Sequence, residues 1–207
     1  MISLSLSRIL SLLTVAACFS APFLRAQEKV DKEQVAEIAQ KLVGLAAESL
    51  KDAPLKSEVD PTKGDALKHG DYGLMVLPDK GLTAATLENA GPEVAPVGQL
   101  WLKGLAPVVD GKVAPNAQLR LVSMTTQDET FRLPLCLLGV TKRDGRLELV
   151  VLGKDKTPLL HPALEKCDSE QTVPIAISGQ KEEEGVGRVI LNFGKYKATF
   201  LVMLQES

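Results

Sequence analysis

Two histidines, three cysteines and a lysine pattern used twice are the parts of this sequence best suited to chemistry. A nucleophile–histidine–carboxylate triad needs an imidazole to shuttle a proton, and His69 and His161 are the only two present. His69 lies among charged residues, and His161 stands between Leu160 and Pro162. No Gly-x-Ser-x-Gly elbow accompanies them, since Ser123, Ser169 and Ser178 lack glycines two residues to either side. The enzymatic reading is therefore a hydrolase centred on His161, or on carboxylates assembled from distant positions.

The lysine pattern follows two apolar runs. Leu149–Gly153 leads into Lys154-Asp155-Lys156, and Ile190–Gly194 leads into Lys195-Tyr196-Lys197. Either the lysines keep strand exits soluble and guard edge strands, or Lys154, Lys156, Lys195 and Lys197 converge on an anionic ligand. No metal site is expected. Zinc needs three or four protein ligands at close spacing, and no Cys-x-x-Cys or His-x-x-x-His occurs. Asp60, Asp65 and Asp71 are spaced too widely for a calcium loop, which alternates its oxygens. No cofactor motif is present either. Gly153-Lys154 lacks the phosphate-loop context, and Gly185-Val186-Gly187 lacks the third glycine and helix of a dinucleotide fingerprint, so it reads as a tight turn.

The start of the chain bears on the cysteines. Arg8 precedes the apolar run Ile9–Ala17, and no acidic residue occurs before Glu28. The run is short of the roughly 20 residues that a membrane-spanning helix needs, and the combination reads as a secretory signal peptide over 1–26. A cut after Ala26 would remove Arg8 and Arg25, moving the formal net charge from -2 to -4. It would also remove Cys18 and leave Cys136 and Cys167. That pair could close a disulfide in an exported chain, or stay as two thiols in or near the core. The alternative start is Val15-Ala16-Ala17-Cys18, a degenerate lipobox; membrane attachment is expected only if Cys18 is lipidated. The protein is thus expected outside the cytoplasm, in the periplasm of a bacterium or in the medium.

These residues must be positioned by a small set of elements. Val35, Ile38, Leu42, Leu45 and Leu50 recur at helical spacing, with Asp31 as cap, so an amphipathic helix is expected after residue 30. It either docks on a sheet or pairs with a second copy. Residues 52–71 are charged and rich in proline and glycine, which reads as a linker. Beyond Tyr72, eight runs rich in leucine, valine and isoleucine read as strands: 72–77, 97–103, 118–124, 130–140, 146–152, 173–178, 188–193 and 197–204. Asp144-Gly145 is a strong hairpin signal, and Asp110-Gly111 marks a second turn. Thr83–Asn89 and Pro158–Lys166 are candidate short helices. Leu100-Trp101-Leu102 leaves open which face Trp101 takes; burial of all three would mean a strand covered on both sides.

The expected fold is mainly β: an antiparallel β-sandwich of about eight strands, or alternatively a Greek-key barrel, with one amphipathic N-terminal helix. The expected organisation is a signal peptide over 1–26, helix and linker over 27–71, and a β domain over 72–207. The near-neutral charge argues against nucleic-acid binding, and six aromatics after residue 26 are few for stacking platforms or sugar sites. The functional expectation is an exported, non-catalytic binding or envelope-support domain for a protein or small-molecule ligand. Its edge strands could pair with a partner strand. The alternatives are the hydrolase above and a small-ligand carrier, which would carry a large apolar pocket.

Overall fold

The computed structural model describes residues 27–125 and 130–205; the leader reading and Cys18 fall outside them. In chain order the elements are β1 (Glu28–Lys29), α1 (Lys32–Ala46), β2 (Asp65–His69), β3 (Tyr72–Pro78), α2 (Ala84–Glu88), β4 (Ala95–Lys103), β5 (Leu105–Val109), β6 (Lys112–Val113) and β7 (Arg120–Thr125). There follow β8 (Thr130–Arg143), β9 (Arg146–Leu152), β10 (Pro158–Leu160), β11 (Glu165–Lys166), β12 (Ala176–Glu183), β13 (Val186–Phe193) and β14 (Tyr196–Leu204).

The strands form two antiparallel sheets, and no closed barrel occurs among the described residues, so the architecture is a β-sandwich. The first sheet runs β1-β2-β3-β4-β8-β9-β10, with β7 also on β8; the second runs β12-β13-β14-β5-β6, with β11 also on β14. Local sequence sets the tightest connections. Asp144 and Gly145 both have positive φ, at 52° and 78°, which is what the two-residue loop from Arg143 to Arg146 requires. Asp110 and Gly111 repeat that geometry between β5 and β6.

Alternation along β8 explains why its sequence is almost continuously apolar. Cys136, Leu138 and Val140 face the second sheet, whereas Leu133, Leu135 and Leu137 face the opposite side. That opposite side is covered by α1 and by Ala53 and Leu55 of the segment behind it. Leu100, Trp101 and Leu102 are all buried, as a strand covered on both faces demands; the leucines enter the inter-sheet core and Trp101 meets α1.

The helix docks through a different stripe from the one its large residues suggest. Val35, Ala39, Leu42 and Ala46 are buried, while Ile38 and Leu45 remain 40% and 44% exposed. The alanines allow the helix to approach the sheet closely, and size-weighted periodicity overlooks them. Asp31 caps the helix by accepting from Glu33 N at 2.9 Å.

Two expectations fail here. The stretch 65–69, read as linker, forms β2, because Ala66 and Leu67 bury while β3 supplies the pairing along its whole length. Pro158–Lys166 is not helical: Pro158–Leu160 pairs with β9 and Glu165–Lys166 with β14, so tertiary pairing overrides local pattern.

Candidate functional site

The inner face of the second sheet is built by Ile177, Val189, Phe200 and Val202. Two-residue alternation places Gly179 beside Ile177 and Gly187 beside Val189 on that same face. Neither glycine supplies a side chain, and at Gly187 this leaves the sandwich unfilled near the β12–β13 turn. The result is an open groove of about 520 Å³ between the sheets, walled by Leu67, Leu74, Leu105, Val202 and Leu204. That volume lies within the ordinary range for small-molecule sites. A Cβ at Gly187 would meet only Val202 Cγ2 at 3.6 Å and Gln180 O at 3.8 Å, both ordinary contacts. At Gly179 the Gln27 carboxamide already occupies the space, its Oε1 2.6 Å from where a Cβ would stand.

The rim of the groove is polar. Lys68 pairs with Glu28 at 3.2 Å, Arg188 pairs with Glu182, and Tyr72 and Glu183 complete the margin. His69 also lines it, and its Nδ1 is shut off from solvent without a hydrogen-bond partner. One long border is β12, an edge strand of the second sheet. At its start Ile177 N donates to the Asp65 carboxylate at 2.8 Å, and Ile177 O accepts from Lys29 Nζ at 3.0 Å. Lys29 and Asp65 are themselves ion-paired. These side chains join the edges of the two sheets where the groove begins.

A second, wider cleft of about 740 Å³ lies beside α2, over Leu87, Phe193 and Tyr196. Lys166 and Lys195 line it together with Glu88 and Asp168, so its charges balance. Cys167 sits in its wall: its N–H donates to Lys195 O at 2.9 Å, and the neighbouring Ser169 hydroxyl donates to Gly194 O at 2.8 Å.

The four sequence-selected lysines divide between the two sheets. Lys195 lines the α2 cleft, and Lys197 lies 3.8 Å from Glu165. Lys154 is held by its backbone, donating to Gln118 O at 2.8 Å and accepting from Arg120 Nη2 at 3.0 Å; neither it nor Lys156 lines either opening. The two glycines of the pattern also differ. Gly194 turns the chain at φ 65°, whereas a Cβ on Gly153 would stand 2.2 Å from Gln118 O. Their likeness in sequence thus covers a turn in one place and a close backbone approach in the other.

Cys136 and Cys167 are both free thiols. Cys136 is fully buried in β8, and burial pushes its thiol up to about 12. His161 Nδ1 lies 3.9 Å from Glu148 Oε2, and no hydroxyl or thiol is hydrogen-bonded to either histidine among the described residues. Asp60 accepts from Thr62 N at 3.0 Å and pairs with Lys63 at 3.1 Å, and Asp65 Oδ2 is held by Lys29 and Ile177 N, so both carboxylates make contacts within the fold. The Thr62 and Lys63 contacts hold the Asp60 carboxyl below its usual range. No group of His, Cys, Asp or Glu among the described residues is arranged to hold a metal ion.

The groove was missed in the sequence because a glycine makes it by omission. Gly185-Val186-Gly187 gave the available signal. Gly185, at φ 77°, is a turn residue as expected, but Gly187 belongs to the strand, two positions before a core valine.

No protein-family model matches this chain, and neither the curated proteins nor the solved structures contain a match. No helix among the described residues is long and apolar enough to cross a membrane.

Proposed function

We propose that this chain is an exported, non-catalytic binding module that takes an apolar group into the inter-sheet groove. The observation that carries the reading is the groove itself: about 520 Å³ with leucine and valine walls, opened by the absence of a side chain at Gly187. Apolar surface of this kind gains by being covered, at about 25 cal/mol per Å². The polar rim would orient a ligand without supplying chemistry. Export rests on the charged, short-apolar start of the sequence, and an envelope role on that export. Titration of the purified protein with 8-anilinonaphthalene-1-sulfonate tests the reading, with native mass spectrometry as a check for a co-purifying ligand. Saturable dye binding that Gly187→Val removes supports the groove; dye binding unaffected by that substitution argues against it.

A second reading, a hydrolase centred on His161, is favoured by one contact, Glu148 beside the imidazole. It requires ester- or amide-cleaving activity that His161→Ala abolishes.

A further inference from the structure

We infer that the groove's occupant is an extended peptide segment that adds a strand to the free edge of β12 and sends alternate apolar side chains into the groove. This rests on the groove being the binding site and goes further, naming the class of partner. Three observations lead to it. The first is the direction of the backbone. Ile177 turns both its N–H and its C=O away from β13, toward Asp65 and Lys29. In a pleated strand the same orientation returns at every second residue, which includes Gly179. Past the Asp65–Lys29 junction, no strand lies against this edge among the described residues. The group nearest to where a Gly179 Cβ would stand is the Gln27 carboxamide, the end of a flexible side chain.

The second observation is register with the groove. Side chains of an added strand would alternate between solvent and the space beneath Gly179 and Gly187, and that space is apolar. A free acyl chain or small apolar molecule would fill the groove but leave the edge of β12 to water. A peptide strand satisfies both, with main-chain bonds giving affinity and side-chain pockets giving selectivity.

The third observation is charge. Glu182, Glu183 and Glu184 follow one another where β12 reaches its turn. Arg188 pairs with Glu182, and Glu183 lines the groove. The segment that fits therefore carries alternating apolar residues and ends in lysine or arginine beside Glu183 and Glu184.

The test uses the full chain and a fluorescein-labelled peptide, Val-Thr-Val-Thr-Val-Lys-Lys, followed by fluorescence anisotropy. Saturable binding is expected. N-methylation of alternate residues, which keeps every side chain but blocks one strand edge, should weaken it at least ten-fold for one of the two methylation phases. Glu183→Lys with Glu184→Lys should reverse the preference toward a peptide ending in Glu-Glu. Equal affinity for both N-methylated peptides would overturn the inference without any protein variant. Dye binding with no peptide binding would also overturn it, leaving the groove as a small-molecule site. Absence of both would bring down the groove reading itself.

Discussion

Filling the groove from its own wall is the sharpest perturbation of this fold. In Gly187→Val, the new Cβ stands in ordinary contact with Val202 and Gln180 O, and the backbone there has no positive φ to strain. Replacing a strand glycine lowers the entropy of the unfolded chain, worth about 0.4–1 kcal/mol. Fully burying a valine side chain adds about 1.5–3 kcal/mol, and a side chain at the open end of the sandwich gains about half of that, roughly 1 kcal/mol. The sum is a stabilisation of about 1.5–2 kcal/mol. For a domain of this size it corresponds to a rise in Tm of roughly 3–8 °C. The assay is paired: thermal and urea unfolding for stability, and titration with 8-anilinonaphthalene-1-sulfonate for binding. Stability should rise as dye binding falls at least ten-fold. A lowered Tm would mean that the space at Gly187 is not open. A raised Tm with unchanged dye affinity would mean that the dye, and by extension an apolar ligand, sits elsewhere.

Other contacts give equally definite outcomes. Arg120 is buried and its guanidinium ties Ser49 O, behind α1, to Lys154 O. Losing two charge-assisted bonds in Arg120→Ala should cost about 3 kcal/mol by urea unfolding, and Arg120→Lys should recover little because an ammonium cannot reproduce the fork. Burial lowers the Arg120 pKa against the opposing pull of Asp52 and Asp155. Asp65→Ala should cost about 1–3 kcal/mol by leaving Ile177 N unpaired, with faster amide exchange through β12 as its signature. In a Cys18→Ala background, a disulfide reagent at pH 8 should titrate Cys167 alone in the native state and Cys136 only after unfolding. With its thiol near 12, Cys136 holds about one thiolate in ten thousand at that pH; rapid modification of both would contradict the burial of β8.

The sheets were legible where pattern and turn chemistry agreed. Asp144-Gly145 fixed the β8–β9 hairpin, and the leucine-rich run after Thr130 marked a strand, though not its burial on both sides. Legibility failed where a residue's role depends on a distant partner. Ala39 and Ala46 bury because the sheet comes close, although Ile38 and Leu45 are far more hydrophobic. Asp65–His69 is a strand because β3 lies beside it, though its own residues are mostly polar. The candidate site was the hardest part, since Gly187 contributes empty space and only the facing leucines give that space a boundary. Lysines, by contrast, stand out in a sequence, yet the two hairpin exits that carry Lys154 and Lys195 belong to different sheets.

The most direct test is an amide chemical-shift map of the protein titrated with the Val-Thr-Val-Thr-Val-Lys-Lys peptide. Binding in the groove predicts that the largest shifts fall on Gly179, Gly187, Val189 and Val202, with slowed exchange at the Gly179 amide. Shifts clustered instead on Lys166, Cys167 and Lys195 would place the ligand in the α2 cleft and contradict the account.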